Sequence, residues 1–87
     1  MGRKNAANIE NHGIDFLDAA LIFERPILEA IDDRADYGEL RCIALGLSGD
    51  TVLHVIYTWR GEKTIRMIGA RKANCHDAER YYREIFT

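Results

Sequence analysis

The sequence predicts an α+β domain: two N-terminal helices, then a four-stranded antiparallel sheet, then one C-terminal helix. Three observations carry that expectation. Apolar residues recur at i, i+3, i+4 and i+7 near both ends of the chain, the stripe of a half-buried helix. Between them the pattern switches to short runs rich in Ile, Val, Leu and Thr, which is how strands read. Brief glycine-containing segments join several of these runs, as antiparallel neighbours require.

The first helix is expected over residues 3–12, with Gly13 ending it in the left-handed conformation. A second starts after Asp15, whose short side chain suits an N-cap. It buries Phe16, Ala19, Ala20 and Phe23 on one stripe before Pro26 closes it. Strands are expected over residues 27–31, 41–47, 52–59 and 64–70. Ser48-Gly49-Asp50 and Arg60-Gly61-Glu62-Lys63 have hairpin length, while residues 32–39 form a longer acidic loop. The last helix begins after Asn74 as N-cap, with Asp77 in its first turn, and repeats the stripe through Ala78, Tyr81, Tyr82 and Ile85. Helices segregated to one sheet face would bury these stripes most simply. The third strand resists that arrangement: Leu53, Val55 and Tyr57 alternate with Val52, His54 and Ile56, so it is apolar on both sides. Either helices cover part of each face or a partner covers the second.

At 87 residues the chain is expected to be one domain, residues 1–87. A domain of this size buries only about 60–65% of its unfolded surface, so a partner or dimer contact would add to its stability. A composition 47% hydrophobic and 30% charged is that of a folded globular protein. No apolar run approaches the roughly 18–20 residues of a membrane span, and Met1-Gly2-Arg3-Lys4-Asn5 opens no signal peptide, so a cytoplasmic protein with no membrane partner is expected. Cys42 and Cys75 sit in no metal-type spacing and are expected as reduced thiols. The net charge of −2 would oppose a polyanionic partner only if it were evenly spread. It is not. Residues 1–39 carry four basic and nine acidic side chains, whereas residues 57–87 carry seven basic and four acidic. Phosphate contacts follow the local field, although two solvated surfaces of opposite sign would give the same numbers.

Lys4, Asn8 and His12 lie at i, i+4 and i+8 and share one helix face, offering a cation, an amide and a titratable imidazole. Histidine is the side chain whose ordinary pKa sits near neutrality, so such a face can contact phosphate and move protons; an ordinary polar surface is the alternative. The late strands hold a second group. Tyr57 and Arg60 flank the end of the third strand, Arg66 lies in the fourth, and Arg71-Lys72 follow it. Arginine grips phosphate with a planar fork and lysine adds a point charge, so a cluster at one sheet edge can hold a phosphodiester. A solvent-facing arginine and a basic loop are the plainer readings. Asp32, Asp33, Asp36 and Glu39 lack calcium-loop spacing and read as a solvated loop; His54 and His76 stand alone and read as packing or surface residues. There is no glycine-rich phosphate loop, nucleophile elbow or paired zinc ligation, so neither a metal nor another cofactor is expected.

Several of these residues resemble the BrnT toxin family. Its opening is matched by Lys4, Asn8, His12-Gly13-Ile14, Phe16, Ala19 and Phe23, its middle by Asp33-Arg34, Tyr37-Gly38-Glu39, Arg41 and Gly46. Its end is matched by Tyr57-Thr58, Arg60, Ile65-Arg66, Ile68, Ala70-Arg71-Lys72-Ala73, Glu79 and Tyr82. The resemblance implies a RelE-like fold and a ribonuclease toxin of a type II toxin–antitoxin system, cutting RNA without a metal and so inhibiting translation and growth. It implies neutralisation by a cognate BrnA-like, DNA-binding antitoxin in a hetero-oligomer, with a homodimer as a second arrangement. Under it His12 acts as acid or base, Arg66 and Arg71 stabilise the phosphate, Lys4, Arg60 and Lys72 bind the backbone, and Tyr57 stacks on a base. The rival is a catalytically degenerate toxin, a non-enzymatic module that binds its antitoxin in transcriptional autoregulation. Three departures bear on that choice. Met1-Gly2-Arg3 stands where the family has a short strand, so that strand is expected to be missing; Asn11 replaces a lysine, and Gly69 a serine.

Overall fold

Gly13 adopts φ +71°, a setting that strains residues with a Cβ, and its N–H closes on the Ile9 carbonyl at 2.7 Å. Helix α1 (Gly2–His12) therefore ends where the sequence predicts. The computed structural model describes residues 2–32 and 40–86, with side chains from Asn5 onward. Asp15 caps α2 (Phe16–Ala20) by accepting the Leu17 N–H at 2.9 Å, and the helix then tightens into a 3-10 turn over Leu21–Glu24. Three residues per turn in place of 3.6 changes which side chains share a face. Phe16, Ala19 and Ile22 point inward and Ala20 is exposed, so the expected stripe runs through Ile22 instead, with Phe23 at its margin.

Strands β1 (Leu28–Ile31), β2 (Cys42–Ser48), β3 (Thr51–Arg60) and β4 (Thr64–Lys72) form an antiparallel sheet in the order β1-β2-β3-β4. Their ends agree with the sequence reading to one or two residues. Of the acidic loop, residues 33–39 lie outside the described residues. Helix α3 (Cys75–Phe86) starts at the predicted cap, Asn74 accepting the Asp77 N–H at 2.8 Å.

Helices cover both faces of the sheet. On one, Phe16, Ala19 and Ile22 pack against Ala44, Leu53, Val55, Tyr57 and Ala70. On the other, Tyr81 is fully buried over Leu45 and Val52 with Ala78 and Ile85 beside it, and its hydroxyl donates to the Pro26 carbonyl at 2.9 Å. The one-sided layer expected on grounds of simplicity gives way because β3 has apolar side chains to bury on either side. Tyr82, expected in the buried stripe of α3, is exposed and lies against Phe86, since Ala78, Tyr81 and Ile85 suffice to cover the sheet there.

β4 carries one irregularity. Gly69 faces Ile56 and Met67 faces Tyr57, which leaves Ile68 as an additional residue, a β-bulge. Arg66 opposite Thr58 and Arg71 opposite His54 consequently share a face, although their odd spacing would put them on opposite sides of a regular strand.

Gly46 of β2 sits where the 3-10 turn crosses the sheet. A Cβ there would lie 2.7 Å from Ile22 Cβ and 3.0 Å from Ile27 Cγ2. Gly46→Ala is expected to lower stability by about 1–3 kcal/mol through overpacking. A urea titration would show this as a lower midpoint with an unchanged slope.

Candidate nucleic-acid interface

Asn8 ties α1 to the sheet. It is 6% exposed, its side-chain oxygen accepts the Ala70 N–H at 2.8 Å, and its amide donates to the Ile14 carbonyl at 2.7 Å. Asn5 makes a second tie, accepting the Phe16 N–H at 2.8 Å and donating to the Asp15 carboxylate at 3.3 Å. The face holding Lys4, Asn8 and His12 is thus turned toward β4 at Asn8, whose amide is engaged in structure rather than offered to a ligand. Lys4 lies one turn earlier, its side chain outside the described residues. His12 lies one turn later, about 6 Å along the axis, exposed at the end of the helix. Gly13 and Ile14 line a hollow of about 160 Å³ with Lys72, Asp18, Ser48, Thr51 and Leu53. α1 therefore runs toward the Lys72 end of β4, where Gly13, next to His12, shares that hollow with Lys72.

The cations of β4 divide by face and by distance. Arg71 is half-buried opposite His54 on the α3 side, while Lys72, opposite Leu53, belongs to the α1 side and is exposed. Arg66 is half-buried opposite Thr58. At about 3.3 Å per strand residue it stands roughly 15 Å from Arg71, a separation suited to two phosphates of one strand rather than to one. Arg60, exposed opposite Thr64, lies further along still. Arg71 and Lys72 lie at the C-terminal end of β4, Arg66 lies nearer its start, and Arg60 lies opposite that start.

Tyr57 is fully buried. Its ring meets Phe23 edge-on at 5.3 Å and its hydroxyl donates to Glu29. Burial, and then the Glu29 carboxylate, hold its hydroxyl well above the ordinary phenol pKa. No ring face is left to stack on a base, because Tyr57 has the parity of Leu53 and Val55 and falls beneath α2. Trp59 has the same parity but lies beyond that cover, 46% exposed, and shares a hollow with Leu40, Thr58 and Arg60. Its place beside Arg60 was the sequence signal that went unread. His54, read as a packing or surface residue, is buried, and Arg80 carried no reading. They line a hollow between α3 and the sheet together with Asp77, and no spacing along the chain connects them.

Among the described residues, no three His, Cys, Asp or Glu side chains are grouped to hold a metal ion, and no helix is long and apolar enough to cross a membrane. Cys42 and Cys75 are free thiols. A family model for BrnT, the ribonuclease toxin of type II toxin–antitoxin systems, matches residues 2–77, taking in α1, α2, the sheet and the first residues of α3. The chain belongs to the BrnT family. No curated protein matches it. Membership of a type II system implies an antitoxin partner for this BrnT-family toxin. The match ends at Asp77, in the first turn of α3.

Because Asn8 satisfies both the Ala70 N–H and the Ile14 carbonyl, Asn8→Ala is expected to cost about 2–3 kcal/mol. Hydrogen exchange at Ala70 should quicken by more than the global destabilisation accounts for, as α1 lifts from β4. Protection at Ala70 equal to wild type would show that this bond does not hold the helix.

Proposed function

We propose that this chain is a metal-independent endoribonuclease toxin, silenced by a DNA-binding antitoxin of the BrnA type, and that it cleaves RNA at the Lys72 end of β4. The observation that supports the reading is the Asn8 to Ala70 hydrogen bond, which docks α1, with His12 exposed at its end, on the strand that carries Arg71 and Lys72. His12 takes the proton of a ribose 2′-hydroxyl, and the 2′-oxygen bonds to the adjacent phosphorus. The bond from that phosphorus to the 5′-oxygen breaks, and the 5′-oxygen leaves with a proton drawn from water or from the His12 imidazolium. The products are a 2′,3′-cyclic phosphate and a 5′-hydroxyl end. Charge that builds on the phosphoryl oxygens is met by the Arg71 guanidinium from one side and the Lys72 ammonium from the other.

Arg66 then serves as a second phosphate ligand rather than a partner of Arg71 on the scissile group. Arg60 and Lys4 bind the backbone, and Trp59 offers the stacking surface that Tyr57 does not. An antitoxin that covers this strip in a hetero-oligomer would block cleavage by excluding RNA.

Purified protein incubated with RNA in EDTA is expected to yield fragments with cyclic phosphate ends. His12→Ala and Arg71→Ala should each slow cleavage by about 10²–10³-fold without altering the circular dichroism spectrum. Arg60→Ala and Arg66→Ala should weaken RNA binding and reduce the slope of log affinity against log salt by about 0.7 each. Folded protein that binds its antitoxin yet cuts no RNA would favour the non-enzymatic antitoxin-binding module instead.

A further inference from the structure

The hollow between α3 and the sheet has no part in that scheme. Its volume is about 140 Å³, and Ala30, Ile43 and Leu45 give it an apolar floor, with His54 alongside and Asp77 and Arg80 lining the α3 side. Three features limit what it can hold. The first is place: His54 is the cross-strand partner of Arg71, and neighbouring strands lie about 4.8 Å apart. A nucleotide whose phosphate is held at Arg71 would have its base beside the hollow. The second is surface, since an apolar floor suits the face of an aromatic ring.

The third feature is polarity. Asp77 and Arg80 are three residues apart on one helix, so their side chains are neighbours, about 5–6 Å between Cβ atoms. A carboxylate that only accepts sits next to a guanidinium that only donates. Asp77 is favoured in the first turn of α3, and a ligand entering the hollow would meet its carboxylate as an acceptor. Resting on the ribonuclease reading for the position of the cut, we propose that this hollow is the base-recognition pocket of the nucleotide next to the scissile phosphate, and that the base it takes is guanine. Guanine sets its O6 and N7 acceptors beside two adjacent donors, N1–H and the N2 amino group, which matches Arg80 next to Asp77. Adenine flanks a single amino group with ring acceptors that would face the carboxylate. Cytosine and uracil each give fewer donors and cover less of the floor.

The test uses the intact chain with two readouts. Titration with 3′-GMP, 3′-AMP, 3′-CMP and 3′-UMP needs no cleavage, and 3′-GMP is expected to bind about tenfold or more tightly than the others. End-mapping on a mixed-sequence RNA should place cuts beside guanine. Asp77→Asn and, as a second variant, Arg80→Gln should each lower cleavage at guanine sites at least tenfold more than at other sites, and should level the four monophosphate affinities. Equal binding of the four monophosphates by the wild-type chain, or a guanine preference that both variants keep, overturns the pocket. Cleavage without base preference overturns the pocket and leaves the ribonuclease reading standing. Selective 3′-GMP binding that both variants abolish, with no RNA cut, upholds the guanine pocket and removes the ribonuclease reading alone.

Discussion

An edge strand exposes a row of backbone N–H and C=O groups, and a protein must cover or blunt them to avoid pairing with other chains. β4 is hydrogen-bonded to β3 and ends the described sheet, and α1 lies along it. The contact between them is closed by one side chain, Asn8, whose oxygen takes the Ala70 N–H while its amide holds the Ile14 carbonyl. Because Asn5 fixes the start of α2 from the same helix, α1 can neither slide along β4 nor pivot about Asn8. That constraint sets the position of His12. A slip of one helical turn, about 5.4 Å, would carry the imidazole away from whatever phosphate Arg71 holds.

The bulge at Ile68 supplies the second constraint, and it concerns sides rather than distance. It turns Arg66 and Arg71 to the same face, opposite Thr58 and His54, and leaves Lys72 on the face of α1. Under the proposed reading, a phosphate at the end of β4 would be met by a guanidinium from one face and by an ammonium from the other, the face on which α1 and His12 lie. The site belongs to the edge of the sheet because only there can groups from both faces meet. The unequal charge of the two halves of the chain fits this geometry, since α1 of the acidic part is docked on β4 of the basic part.

The parts of this architecture that are local were legible in the sequence. Turn glycines, the caps Asp15 and Asn74, and the strand runs each declare themselves within a few residues. Phase was legible too, but depth was not. Tyr57 and Trp59 have the same parity, and only the extent of α2 decides that one is buried and the other exposed. Asn8 reads as an ordinary polar residue of a surface helix, because its partner Ala70 is 62 positions away. The bulge is a single residue with no composition of its own, though a glycine inside a strand, here Gly69, is a common neighbour of one. The chemistry of single residue types at the candidate site is legible from the sequence. Which of them converge was unreadable, since convergence depends on that long-range bond and that extra residue.

Under the proposed reading, α3 separates base recognition from cleavage. The strip formed by α1 and β4 falls within residues 2–77, the span matched to the BrnT family, whereas Arg80 and Tyr81 fall outside it. Tyr81 anchors the helix, fully buried over Leu45 and Val52 and hydrogen-bonded to Pro26. With the anchor on one side of the helix and Asp77 and Arg80 lining the hollow, the polar pair can be exchanged without disturbing the core. Cleavage chemistry makes the opposite demand, because His12, Arg71 and Lys72 are held by backbone hydrogen bonding and strand register. Under the proposed reading, a toxin built this way would keep its cleavage strip fixed while its choice of base changed through substitutions on the sheet-facing margin of α3.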